Sequence, residues 1–312
     1  MDDMRHWLRL IKYSLLHEIA KYKAEPWMPN IFTQKLLSPI FLIGCGRSGT
    51  TIMGKILSEH PNISYLFEPY HLWAAVDPRT DILNLYSIID ADLLMNESHY
   101  SWESQMRFNR LFLYGHKNKN ILLEKTPLNA MRIGYLNALA PEAKFIHIVR
   151  DGIDVSLSID RLASTNSYKI AGKPQFNQWW GVQNYKWTAL SRDGAAAGYY
   201  PDEINQLQDN QGKGAYEWLV TLGEIERWRE FLGNRLYEIT YNQMTGNPAE
   251  TLRNICQFLQ VDISSNWIEK ATKTILPARS TLGNTLQLPS GMCASFNLHQ
   301  TQFNFPNRAI PL

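Results

Sequence analysis

Apolar positions along the 312 residues follow two alternating rhythms. Short unbroken runs occupy 39–43, 121–124, 145–149 and 236–241. An apolar run without alternation predicts a strand buried on both faces, as in a parallel sheet. Between these runs, residues 50–60, 128–140, 152–163, 215–232 and 249–260 carry apolar side chains at helical spacing. Strands alternating with helices predict an α/β fold with a central parallel sheet flanked by helices. Upstream, Met4, Trp7, Leu8, Ile11, Leu15, Ile19 and Ala20 recur at helical spacing among Arg5, Arg9, Lys12 and Glu18. They predict an amphipathic helix over 3–22 that docks on the domain rather than on a membrane surface and ends at Pro26 and Pro29. The chain thus divides into an N-terminal helix and linker, 1–37, and one domain, 38–312. Two stretches lack periodicity. Residues 191–214, rich in Gly, Ala and Asn around Tyr199-Tyr200-Pro201, predict an irregular lid or binding loop. Residues 277–312, with several prolines, predict a tail wrapped over the surface.

Composition adds boundaries. With 45% hydrophobic and 19% charged residues the chain can build a large core and is not a disordered polymer. A net charge of +2 argues against nucleic acid as a partner, while a local basic pocket stays compatible with it. Cys45, Cys256 and Cys293 are far apart and lack metal-ligand spacing, so reduced thiols and a cytoplasmic location are expected. No apolar run of about 18 residues predicts a membrane span. Charged residues interrupt every apolar stretch of the N-terminus, which therefore does not read as a signal peptide.

The first apolar run opens directly into Gly44-Cys45-Gly46-Arg47-Ser48-Gly49-Thr50-Thr51. Gly44, Gly49 and Thr51 keep the spacing of the Walker pattern G-x-x-x-x-G-K-[ST], but Thr50 stands where the lysine belongs. Such a strand-loop-helix turn points backbone N–H groups at an anion, and the helix N-terminus adds a partial positive charge. The Walker lysine reaches the outer phosphates of a triphosphate. Its absence, with Arg47 inside the loop, disfavours a nucleotide kinase or hydrolase and suits a donor with one 5′-phosphate bearing another leaving group. Downstream, the run 145–149 ends in Arg150-Asp151, and Ser158 follows two helical turns later. A strand-end Arg and a helix Ser at that separation can grip a phosphate from two sides; a surface ion pair for Arg150 is the plainer alternative.

Together, Gly46–Thr51 and Val149-Arg150-Asp151 with Ser158 resemble the two phosphate-binding elements of the sulfotransferases that use 3′-phosphoadenosine 5′-phosphosulfate (PAPS). Tyr241-Asn242-Gln243-Met244 with Asn247-Pro248 resembles that family's adenine-contacting segment, although Asn242 and Gln243 replace an acidic pair. Glu124-Lys125-Thr126-Pro127 is similar to the stretch that precedes the second element. The resemblance covers about residues 38 to 262. It implies a P-loop-like fold and PAPS as sulfonate donor. It further implies that Gly46, Arg47, Ser48, Gly49, Thr50 and Thr51 hold the 5′-phosphosulfate, Arg150 and Ser158 the 3′-phosphate, and Tyr241 the adenine. 3′-Phosphoadenosine 5′-phosphate (PAP) would be the product, and no metal is required.

The segment Tyr65-Leu66-Phe67-Glu68-Pro69-Tyr70-His71-Leu72-Trp73 is similar to one in Golgi carbohydrate sulfotransferases, and a glutamate near this position is the proposed base in protein-tyrosine sulfotransferases. The acceptor needs a base during attack, so Glu68 is the first candidate and His71 the second. Arg47 and Lys125 are the cations expected to hold charge on the leaving 5′-phosphate and the sulfonate. His147, inside an apolar run, is expected in the core. The expected acceptor is a small metabolite or glycan bearing a hydroxyl or amine. A catalytically inactive nucleotide-binding module is the non-enzyme alternative.

Overall fold

The computed structural model describes residues 2–25, 38–87, 89–115, 121–165, 176–275 and 285–312. In chain order the strands are β1 (Ile40–Ile43), β2 (Ile63–Phe67), β3 (Ile121–Lys125), β4 (Lys144–Val149), β5 (Phe176–Asn177), β6 (Gly181–Val182), β7 (Leu236–Thr240), β8 (Leu286–Leu288) and β9 (Ala309–Pro311). Five of them form one sheet in the order β2-β3-β1-β4-β7, with every pairing parallel. β1 lies at its centre, and all four of its residues are buried. The strand order reverses beside β1, and the crevice at the C-terminal ends of strands at such a reversal is where open α/β sheets bind ligands.

The helices are α1 (Asp2–Ala24), α2 (Thr50–Ser58), α3 (Tyr70–Val76), α4 (Trp102–Gly115), α5 (Ile133–Leu139), α6 (Gly152–Ala163), α7 (Tyr185–Ala196), α8 (Asn210–Leu232), α9 (Tyr241–Gly246), α10 (Pro248–Leu259), α11 (Ser265–Thr274) and α12 (Ser290–Gln302). They cover both faces of the sheet, which is why its strands read as continuous apolar runs. Alternate residues of β1 feed different cores. Phe41 and Ile43 pack with Trp73, Phe108 and Tyr135, whereas Ile40 and Leu42 pack with Met53, Leu57 and Ile255. A third cluster joins α6, α8 and α12 through Ile159, Trp218 and Phe296.

Three sequence expectations change. The stretch 191–214 is irregular only in its middle: α7 continues to Ala196, α8 begins at Asn210, and 197–209 between them holds one 3-10 turn, Ile204–Gln206. Its small residues serve contact. A Cβ on Gly194 would lie 2.1 Å from the Tyr216 hydroxyl. Tyr199 Oη donates to Glu224 Oε1 at 2.8 Å, and Glu203 accepts the N–H groups of Gly291 and Met292 at 2.7 and 2.8 Å, fixing the segment to α8 and α12. The C-terminal tail likewise is not a surface wrap. Met292 and Phe296 of α12 are fully buried, the Phe296 ring 4.7 Å from that of Trp218, and β8 pairs with β9. Pro289 stands at the start of α12 and Pro311 at the end of β9. The part of that tail at 276–284 lies outside the described residues. Finally, α1 runs longer than 3–22. It docks on α3 and α4 through His17, Ala20 and Ala24. Pro26 and Pro29 lie outside the described residues. Among the described residues no helix is long and apolar enough to cross a membrane.

Candidate active site

The turn after β1 is closed by the Ser48 N–H donating to the Cys45 carbonyl at 3.2 Å. Gly49 caps α2 in the left-handed region, φ 103°, and a Cβ there would meet the Tyr241 ring at 2.5 Å. Conformation and space both demand glycine. Thr50 and Thr51 form the first turn of α2. Ser48 Oγ is buried and has no hydrogen-bond partner among the described residues. A buried donor left unpaired costs free energy, and an anion cradled by this loop would pair it.

Register then brings two chemical groups to the loop. Phe67 of β2 pairs with Lys125 of β3, and the Glu68 N–H donates to the Lys125 carbonyl at 2.9 Å. The side chains follow: Lys125 Nζ donates to Thr51 Oγ1 at 2.9 Å and to Glu68 Oε1 through a short bond. The Lys125 side chain is 0% exposed and that of Glu68 28%. Burial lowers the Lys125 pKa, while the Glu68 carboxylate pulls it back up. Glu68 is held at φ 42°, a conformation that costs a non-glycine residue about 1–3 kcal/mol and concentrates at functional sites. The neighbouring Glu124 is fully buried and accepts from Trp73 Nε1 and Asn129 Nδ2, each at 3.0 Å, and from Thr126 Oγ1. Burial pushes its pKa up to about 7 against those bonds.

A second cluster sits beside the first. Arg47 Nε donates to Ser158 Oγ at 3.0 Å, and Arg150 Nη1 donates to the Arg47 carbonyl at 3.4 Å. Arg150 also pairs with Asp154 at 3.0 Å and lies 4.7 Å above the Tyr241 ring. Arg150 and Ser158 therefore converge on Arg47, and Arg150 Nε is buried without a partner among the described residues. Burial depresses the Arg47 pKa, and the Arg150 and Arg161 charges push it the same way. That crowding of cations suits an anionic ligand. At Tyr241, Thr240 and Gln243 form a reciprocal capping box, Thr240 Oγ1 accepting from the Gln243 N–H at 3.0 Å and Gln243 Oε1 from the Thr240 N–H at 2.8 Å. Glutamine fills that position as well as an acid does, so the departure at 243 leaves the local turn intact.

A cavity of about 290 Å³ opens from the loop. Gly46, Arg47, Thr50, Thr51 and Glu68 belong to its lining. Tyr70, Leu83, Leu128, Trp179, Lys186 and Glu217 are also among its lining residues, and no residue of 191–214 is. His71 is also outside this lining. It lies in the contact of α3 with α1, where His17 Nδ1 is 3.1 Å from its carbonyl. Burial lowers its pKa to about 4, with His17 adding to the effect. His147 is buried in β4, its Nδ1 2.7 Å from Glu238. Sequence reasoning missed Trp179, Lys186 and Glu217. The adjacent Trp179-Trp180 pair was the available clue, but nothing in spacing ties it to two charges on later helices.

These features define the class. A model of the sulfotransferase family matches residues 39–265, and the chain belongs to that family. An uncharacterised protein of Aquifex aeolicus is 21% identical over 72% of this chain, and the nodulation protein NoeE of Sinorhizobium fredii is 29% identical over 38% of it. The matched stretches make up 25% and 30% of those two relatives' own length. The crystal structure of sulfotransferase STF9 from Mycobacterium avium shares the fold, with a TM-score of 0.53 at 12% identity over 95% of this chain and 83% of that one.

Proposed function

We propose that this chain transfers a sulfonate from PAPS to a hydroxyl or amine of a small-molecule or glycan acceptor, with Glu68 as general base. The observation that carries the reading is Lys125 Nζ, held between Thr51 at the phosphate loop and Glu68 at the cavity wall. One residue thereby links the place for the donor's 5′-phosphosulfate to a carboxylate that faces an incoming acceptor. The unpartnered Ser48 Oγ and Arg150 Nε suit the donor's 5′ and 3′ phosphates.

In the reaction, an acceptor oxygen attacks sulfur from the side opposite the 5′-phosphate. The new S–O bond forms as the bond from sulfur to the bridging phosphate oxygen breaks. Glu68 takes the acceptor proton, and PAP departs with the electron pair. Lys125, Arg47 and the N–H groups of the loop hold the charge that grows on the bridging and sulfonate oxygens. His71 is disfavoured as base by its place in the α1 contact. The three cysteines are buried and free, which supports a reducing, cytoplasmic setting. Incubation with PAPS and a panel of sugars, alcohols, phenols and amines, followed by chromatographic measurement of PAP, tests the reading. Acceptor-dependent PAP is expected. ATP binding with Mg²⁺ and no PAP binding would instead favour a nucleotide kinase.

A further inference from the structure

The cavity wall beside the phosphate loop contains a second polar construction. Lys186 of α7 and Glu217 of α8 form a buried ion pair, Nζ donating to both carboxylate oxygens at 2.7 and 2.8 Å, their side chains 5% and 1% exposed. Trp179, between β5 and β6, donates its Nε1–H to Glu217 Oε2 at 2.9 Å, and Lys186 Nζ lies 4.0 Å from the centre of its ring. On a third side the indole meets the phosphate loop, where a Cβ on Gly46 would lie 2.3 Å from Trp179 Cη2. The indole is thus fixed by a hydrogen bond, a cation over one face and a backbone contact at its edge. A buried ion pair contributes little to stability compared with apolar residues of the same size. Its presence in a cavity wall calls for another account.

Donor arithmetic supplies one. An ammonium has three N–H donors and a carboxylate about four acceptor sites. Two of the donors go to Glu217, and Glu217 receives those two and the indole N–H. One N–H and one carboxylate lone pair are left without a hydrogen bond among the described residues, the complement of a hydroxyl group. Glu68 offers a polar contact in the same lining, and Tyr70, Leu83, Leu128 and Trp179 add apolar surface to it. An occupant matching this pattern has apolar faces and more than one hydroxyl. A phenol has a single hydroxyl, which Glu68 would take, leaving the ion pair buried against carbon at a desolvation cost. An acyclic polyol has no flat face to set against the indole. Resting on the sulfonate-transfer reading above, we propose that Trp179, Lys186 and Glu217 form an acceptor subsite for a pyranoside, holding the sugar ring so that another hydroxyl points at Glu68.

Saturation-transfer NMR on the full chain, with and without PAP, tests this with methyl β-glucopyranoside and methyl β-galactopyranoside against cyclohexanol and glycerol. A pyranoside is expected to receive saturation at its ring C–H protons. Trp179→Leu, which keeps bulk but removes the flat face, should weaken that binding by about tenfold, the scale of one lost aromatic contact. Trp179→Phe should restore much of it, which a mere volume requirement would not. The paired change Lys186→Met with Glu217→Leu leaves no lone buried charge and should abolish the preference for pyranosides over cyclohexanol, with PAP affinity kept. Equal binding of glycerol, indifference of pyranoside binding to Trp179→Leu, or no pyranoside binding in either state overturns the subsite. Failure of the unmodified protein to bind PAP overturns the donor assignment instead, and the arm without PAP still decides this one.

Discussion

At the phosphate-loop end of the cavity, Thr51, Glu68 and Lys125 stand on segments whose relative position is set by parallel strand register, down to the Phe67–Lys125 pair. At the neighbouring wall, Trp179, Lys186 and Glu217 come from a short hairpin and two helices, joined by side-chain hydrogen bonds and by the Lys186 N–H donating to the Trp180 carbonyl at 2.9 Å. The first end is aligned by backbone hydrogen bonds and suits a reaction that needs fixed geometry. The second depends on three side chains locking one another, and it can be rebuilt by substitution without disturbing the sheet. Chemistry and acceptor selection are separable in this arrangement, and mutations at one end should not imitate those at the other.

The sharpest division is expected at Glu68. Glu68→Gln keeps the shape but cannot take a proton, so kcat should fall by about 10²–10⁴ while PAP affinity is retained. The defect should shrink for acceptors of low pKa, whereas Lys125→Ala should slow every acceptor alike. Full activity of Glu68→Gln would place the base elsewhere. The donor side is separated next. Arg150→Ala should weaken PAP by about 10- to 100-fold, the scale of a lost charge-assisted bond, and leave adenosine 5′-phosphosulfate nearly unaffected in calorimetry. Equal losses for both ligands would remove the 3′-phosphate assignment. Gly46→Ala probes the seam where the two ends touch. Its methyl would meet the Trp179 ring at 2.3 Å, so about 1–3 kcal/mol of stability should be lost, and Trp179→Leu in the same chain should recover part of it in a denaturant melt.

The smallest effect is a pH dependence. The folded Glu124 pKa, about 7, lies above the ordinary glutamate value of 4.5. Protonated Glu124 therefore favours the folded state: its contribution is complete below about 4.5 and is lost as pH rises through about 7. His71 acts oppositely, with a folded value of about 4 against 6.5; its contribution is present above about 6.5 and lost as pH falls through about 4. Comparing Glu124→Gln with the parent isolates the first group. The difference in melting temperature between them should widen in favour of the variant from pH 5 to pH 8. A constant difference would show that Glu124 titrates normally.

Much of the fold was legible because strands buried on both faces announce themselves as apolar runs, and all four such runs are in the sheet. The phosphate loop was legible because its residues are contiguous. Glu68 and Lys125 could each be named from their motifs, yet their pairing could not, since register between β2 and β3 is not written in either segment. Residues 191–214 misled because Gly194 signals looseness in sequence but allows close helix contact in space. Trp179, Lys186 and Glu217 were hidden for a related reason, being 38 positions apart from first to last and joined by hydrogen bonds that no sequence spacing announces.

The ion pair between Lys125 and Glu68 also bears on the order of events. In the structure the ammonium occupies Glu68 Oε1, the oxygen an acceptor hydroxyl would have to reach. A donor sulfonate seated near Thr51 would compete for the same ammonium and release the base, so an acceptor that arrives first meets a silent site. Steady-state kinetics should then show ordered addition, donor before acceptor, with PAP competitive against PAPS and noncompetitive against acceptor. Lys125→Ala should convert the ordered pattern to a random one.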